Sequence, residues 1–88
     1  MAVTLDASYE LNPQVSLRPE PFGALAYHFG NRRLTFLRSP DMVRLCELLG
    51  THDTVSGALA AAGIEEGRWP SFAKALDSLE NSEMIRAR

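Results

Sequence analysis

Two strand-like runs, residues 23–29 and 32–38, lie on either side of the dipeptide Gly30-Asn31. Glycine and asparagine both tolerate the positive φ angles that tight hairpin turns require. The spacing therefore predicts an antiparallel β-hairpin in the middle of the chain, and any fold for this sequence has to be built around it.

Closing the turn at this dipeptide determines which residues pair. Tyr27 is predicted to lie opposite Leu34, and Leu25 opposite Phe36. Because side chains alternate between the two faces of a strand, these four large apolar residues share one face, which we expect to pack on the core. Replacing Phe36 with alanine is accordingly expected to damage folding. The opposite, wetter face is predicted to carry Ala24, Ala26, His28, Arg33 and Thr35.

One short strand precedes the hairpin, over residues 15–18, and three helices follow it. This order predicts an α+β fold, a winged helix-turn-helix in which a three-stranded antiparallel sheet is followed by three helices. The predicted helices run from Pro40 to Leu49, from a cap at Asp53 or Thr54 to Ala62, and from a start between Glu65 and Pro70 to a break at Asn81-Ser82.

The 88 residues are enough for one small domain. Residues 1–14 show no sustained period and contain Asn12-Pro13 near their end, so we expect a flexible arm followed by a domain over residues 15–88. The chain has no signal-peptide pattern and no apolar run of about 18 residues, which favours a cytoplasmic protein without a membrane partner.

The sequence offers no catalytic centre. Its two histidines, His28 and His52, lie outside any recognisable motif and are expected to be ordinary surface residues. Cys46 falls on the apolar side of a predicted helix, where a small buried side chain is expected. Phosphate-binding loops and Cys/His clusters are missing, so we expect no enzyme, metal site or cofactor.

Charge is unevenly distributed. The net charge is −2, yet residues 15–45 carry five arginines against two acidic residues. A small winged-helix DNA-binding or regulatory domain is the alternative function, but charge disfavours it and any nucleic-acid partner. The third helix offers Arg68 and Lys74 against the acidic residues Glu65, Glu66, Asp77 and Glu80.

The second hairpin strand is the candidate binding element. If it is the sheet edge, its unpaired main-chain groups can accept another extended segment. Its arginines would attract an acidic peptide, and Arg33→Glu is expected to weaken binding while leaving thermal stability nearly unchanged. Two alternatives stay open: the arginines only protect the edge against aggregation, or the edge pairs with its own copy in a homodimer.

The run LRPEPFGALAYHF at residues 17–29, followed by RRLTFL at 32–37, resembles the mycofactocin peptide chaperone family. These proteins are small relatives of pyrroloquinoline quinone biosynthesis protein D, and they recognise the precursors of ribosomally made, modified peptides. The resemblance covers roughly residues 12–88. Its specificity comes from the RPEPFG block and the hairpin, since the helical half alone would match many winged-helix domains.

The resemblance implies partners and a site. The leader of the precursor peptide would add as an antiparallel strand to the third strand, against the third helix, and the domain would present it to a radical S-adenosylmethionine (SAM) maturase. For the surface that contacts the maturase, Phe22 with its RPEPFG block and the acidic helical face are two candidates. By position, the strand site comprises Arg32, Arg33, Leu34, Thr35, Phe36, Leu37 and Arg38, with Phe72, Leu76 and Leu79 in the cleft and Lys74 at its rim.

Overall fold

A computed structural model describes residues 3–88. It confirms an α+β fold with a three-stranded antiparallel sheet and three helices. In chain order the strands and α-helices are β1 (Tyr9–Leu11), β2 (Val15–Glu20), β3 (Gly23–His28), β4 (Leu34–Leu37), α1 (Pro40–Leu48), α2 (Val55–Ala61), α3 (Trp69–Asn81) and β5 (Ile85–Ala87). The three-stranded sheet has the order β2-β3-β4, and a second, two-stranded sheet pairs β1 with β5.

The small β1–β5 sheet is the first departure from the predicted arrangement. Strand β5 follows α3, so the helices do not all come after the strands. Strand β1 lies inside the segment expected to be a flexible arm, and Val3 and Tyr9 are 6% and 5% exposed in the core. Strands of three residues are too short to show a period in the sequence. Residues 1 and 2 of the expected arm lie outside the described residues.

The register of the β3–β4 hairpin is the predicted one. The turn, however, holds four residues, because the His28 N–H donates to the Arg33 carbonyl at 3.0 Å and the Arg32 N–H donates back to the His28 carbonyl at 2.8 Å. The positive φ of 61° falls on Arg32 rather than on the predicted dipeptide. The observed pairs are Ala24–Leu37, Leu25–Phe36, Ala26–Thr35 and Tyr27–Leu34.

The predicted faces of this hairpin are reversed. Ala24 and Ala26 are each 1% exposed, whereas Leu34 and Phe36 are 51% and 56% exposed. Helix α1 packs against β3, and the two alanines lie on the face where the helix approaches. Small side chains let a helix lie close to a sheet, while the large ones point to solvent. Phe36→Ala was expected to damage folding because Phe36 was assigned to the core, and that assignment was wrong.

His28 shares the buried face and is 3% exposed, so its prediction as a surface residue was wrong. Its Nδ1 accepts hydrogen bonds from the Gly30 and Asn31 N–H groups at 3.0 and 3.1 Å. A buried polar ring is stable only when its polar atoms have partners. This histidine organises the hairpin turn.

Gly23 explains why the RPEPFG block ends in glycine. Its φ is 146°, and a Cβ at this position would lie 2.1 Å from the Leu37 carbonyl oxygen. No other residue fits there without moving β4. The turn that precedes it leaves the Phe22 side chain 41% exposed.

Residues that suit helix ends occupy three positions, one of which is the cap predicted at Asp53 or Thr54. The Ser39 hydroxyl accepts from the Met42 N–H at the start of α1, and the Thr54 hydroxyl accepts from the Gly57 N–H at 3.0 Å at the start of α2. Gly63, with φ of 76°, follows the end of α2. Among the described residues, no helix has the length and apolarity needed to cross a membrane.

Cys46 lies in the core at 1% exposure, as predicted. Burial, with a smaller contribution from Glu47, raises the pKa of the Cys46 thiol to about 12 from 9.0. A thiol that ionises more readily in the unfolded chain stabilises the fold below pH 9.0, and this contribution is lost as pH rises toward about 12. We expect chemical denaturation at a series of pH values to show this decline, and Cys46→Ala to have a flatter profile above pH 9.0. An unchanged slope in the variant would contradict the assignment.

Candidate functional site

A cleft of about 470 Å³ opens between β4 and α3. The strand supplies one wall, α3 supplies the other, and the start of α1 closes one end. Apolar side chains make up most of the lining, so the cleft suits apolar anchors of a ligand. It is lined by Thr35, Phe36, Leu37, Arg38, Ser39, Met42, Ser71, Phe72, Ala75, Ser78 and Leu79.

Small residues on one face of α3 create the space. Ser71, Ala75 and Ser78 recur at intervals of four and three residues, so they share a face of the helix. Phe72 and Leu79, 9% and 5% exposed, add large apolar side chains to the same wall. The predicted site contained the large apolar residues of α3 and not these small ones. Their helical spacing was the signal that could have revealed them.

The structure separates the predicted α3 residues into two groups. Phe72 and Leu79 line the cleft. Leu76 is 0% exposed and points into the core, and Lys74 is exposed but outside the cleft lining. A helix turns by about 100° per residue, so neighbours of a cleft residue such as Ala75 face elsewhere. The cleft lining thus leaves out Leu76, which was predicted inside the cleft, and Lys74, which was predicted at its rim.

The predicted strand residues are also divided. Thr35, Phe36, Leu37 and Arg38 line the cleft, but β4 covers only Leu34–Leu37. Arg32 and Arg33 precede the strand and are exposed outside the lining. Leu34 lies on the exposed face of the sheet, 51% accessible to solvent.

Strand β4 is the edge of its sheet, with a strand neighbour only on the β3 side among residues 3–88. The hydrogen bond from the His28 N–H to the Arg33 carbonyl identifies which residues of the hairpin form hydrogen-bonded pairs with β3. Every second residue then bonds to β3, and the residues between point their main-chain groups away from it. The N–H and C=O groups of Leu34 and Phe36 therefore face outward, beside the cleft.

The lining of the cleft carries one positive charge. Arg38 is the one charged side chain in its lining within the described chain, and no ion pair involving it is found there. Arg68 stands over the Phe72 ring, 5.1 Å from its centroid, but its charge is matched by Asp41 at 3.1 Å. An acidic group on a ligand would thus find Arg38 free to bind it.

Hydrogen bonds from Asn31 hold the two walls of the cleft together at one end. The Asn31 side-chain amide, in the hairpin turn, donates to the Glu83 carboxylate at 3.0 Å and to the Ser82 carbonyl at 3.4 Å, just after α3. These bonds tie the start of β4 to the end of α3. Because these bonds fix the width of the cleft before a ligand binds, less conformational entropy is lost on binding.

Residues 8–86 match the peptide chaperone MftB family. The chain belongs to this family. The matched range includes both walls of the cleft and every strand except the last residue of β5.

Three curated relatives, each called peptide chaperone MftB, support the family assignment. The protein from Mycolicibacterium smegmatis is 42% identical over 80 residues, which span 91% of this chain and 78% of the relative. The Mycobacterium ulcerans protein is 40% identical over 91% of this chain and 73% of its own length. The Mycobacterium tuberculosis protein is 37% identical over 94% and 76%. No solved structure matches the chain.

Proposed function

We propose that this chain is a non-catalytic peptide chaperone of mycofactocin biosynthesis. It binds the leader of a ribosomally made precursor peptide by strand addition at β4 and presents it to a radical SAM maturase. The observation that carries the proposal is the apolar cleft beside the unpaired edge of β4. The family name, peptide chaperone, supports a peptide as the ligand.

Strand addition uses the outward main-chain groups of Leu34 and Phe36. A leader segment lying antiparallel to β4 would bond to both and so extend the sheet to four strands. Alternate leader side chains would then point toward α3, into the space between Phe36 and Ala75. Main-chain bonds fix the direction and register of the leader, and the cleft selects its apolar anchors.

The proposed role needs no reaction at the chaperone itself. The lining consists of apolar, hydroxyl and guanidinium groups, which suit binding. Leaders of such precursors are flexible before binding, so ordering one beside β4 would limit the positions that its reactive end can reach. We place the protein in the cytoplasm, where the precursor is made, and we assign it the winged helix-turn-helix type of fold.

Arg38 provides the first test. Arg38→Glu puts a negative charge at the cleft mouth, and we expect it to weaken binding of an acidic leader by about tenfold or more. Lys74→Glu makes the same charge change on an exposed position of α3 outside the cleft and should alter affinity less than about threefold. Fluorescence anisotropy with a labelled synthetic leader measures both. Equal losses in the two variants would mean that net charge, rather than the cleft, determines affinity.

A further inference from the structure

The exposed face of the β2-β3-β4 sheet is unusually apolar. We define the outer sheet face as Phe22, Leu25, Tyr27, Leu34 and Phe36. Phe22, Leu34 and Phe36 are 41%, 51% and 56% exposed, and the Phe22 and Phe36 rings pack edge to face at 5.9 Å. Contiguous apolar patches of this kind mark interaction sites on soluble proteins.

Two arginines, Arg18 and Arg38, lie beside this face. Arg18 lies on the same side of β2 and is 77% exposed at its side chain, paired with Glu20 at 3.2 Å. Arg38 is exposed just after β4, in the depression that Phe22 and Phe36 also line, and no ion pair involving it is found among residues 3–88. A second copy docked by a two-fold axis would bring these like charges together. The complementary occupant is an acidic surface with apolar side chains at its centre.

The outer sheet face is continuous with the cleft. Phe36 and Arg38 line the cleft and also a neighbouring depression of about 490 Å³ that includes Phe22. A leader strand added to β4 would extend the sheet, and its outward side chains would join the apolar face. A protein bound on this face would therefore touch the leader and the chaperone together.

We propose that the outer sheet face is the docking site for the enzyme that modifies the bound peptide, through an acidic, apolar-centred patch on that enzyme. The proposal rests on the proposed function and selects Phe22 and its RPEPFG block over the acidic helical face. Since the leader strand contributes to the surface, bound leader should also raise the affinity for the enzyme, and by linkage the enzyme should raise the affinity for the leader.

The test measures two affinities for each variant. Phe22→Ala removes an exposed ring from the outer sheet face, and Leu5→Ala truncates an exposed apolar residue, 39% accessible, beside the start of α2. Biolayer interferometry with a purified radical SAM maturase of mycofactocin biosynthesis gives the enzyme affinity. Anisotropy with the labelled leader gives the peptide affinity. We expect Phe22→Ala to weaken enzyme binding by about tenfold with leader affinity within about twofold, and Leu5→Ala to change neither.

The outcomes separate this proposal from the proposed function. If the wild-type protein does not bind the leader, the proposed function itself is overturned. Intact leader binding with equal enzyme affinity for wild type, Phe22→Ala and Leu5→Ala would overturn only the docking site. Two further results would assign the face to another occupant and overturn the docking site too. One is a wild-type dimer, seen by sedimentation, that Phe22→Ala dissociates. The other is binding to anionic vesicles that Phe22→Ala abolishes while enzyme affinity stays the same.

Discussion

Ala75→Trp is expected to weaken leader binding by about 100-fold, or about 2.7 kcal/mol. Ala75 lies on the α3 wall of the cleft, opposite β4. An indole there would fill the space into which the leader side chains are proposed to insert. The cleft, at about 470 Å³, is large enough to take this ring without displacing the core. Anisotropy with the labelled leader measures the loss, and circular dichroism checks that the variant melts like the wild type.

Lys74→Trp is the matched control for this substitution. It adds the same side chain to the same helix, one residue earlier, on an exposed position outside the cleft lining. We expect its leader affinity to stay within about twofold of the wild-type value. A folded Ala75→Trp protein that binds the leader as tightly as Lys74→Trp would exclude the cleft as the peptide site.

The second large effect is expected from Leu34→Pro, which acts on the main chain. The Leu34 N–H points away from β3, so proline removes a bond that only an added strand would use. The proline ring also lies in the path of that strand. We expect leader affinity to fall by about 30-fold or more, with the β3–β4 hairpin retained because edge strands tolerate proline on their open side.

Two companion variants isolate the main-chain contribution. Leu34→Ala removes most of the side chain and keeps the N–H, so it should bind the leader within about threefold of wild type. Thr35→Pro removes an N–H that bonds toward β3 and is expected to lower the melting temperature. If Leu34→Pro and Leu34→Ala bind the leader equally well, the leader does not add to β4 as a strand.

The register of the hairpin could be predicted from the sequence, but its buried face could not. Only one register pairs all the residues of the two long runs on either side of the turn, and the structure shows this register. Both faces of β3 are apolar, with Ala24 and Ala26 on one and Leu25 and Tyr27 on the other. Alternation in β3 alone therefore did not decide the buried face, and the polar residues His28, Arg33 and Thr35 pointed to the wrong one. Choosing the larger side chains as core ignored the space that α1 requires.

The location of the cleft was predicted, but only some of the residues that line it were. The hairpin predicted the edge strand, and the family resemblance placed the site beside the third helix and pointed to Phe36, Phe72 and Leu79. Ser71, Ala75 and Ser78 were missed because an empty space is made by small side chains, which carry no hydrophobic signal of their own. Strand β1 escaped prediction for another reason: its partner β5 lies at the far end of the chain, and pairing at that distance has no local pattern.

Hydrogen exchange at two amides tests strand addition most directly. In the free protein, the outward N–H groups of Leu34 and Phe36 should exchange rapidly, while those of Thr35 and Leu37 are already bonded to β3. NMR-detected exchange with saturating synthetic leader should show strong protection appearing at Leu34 and Phe36, together with chemical-shift changes along the Ser71–Leu79 wall of α3. A leader that binds and shifts these resonances while both amides continue to exchange rapidly would contradict strand addition at β4.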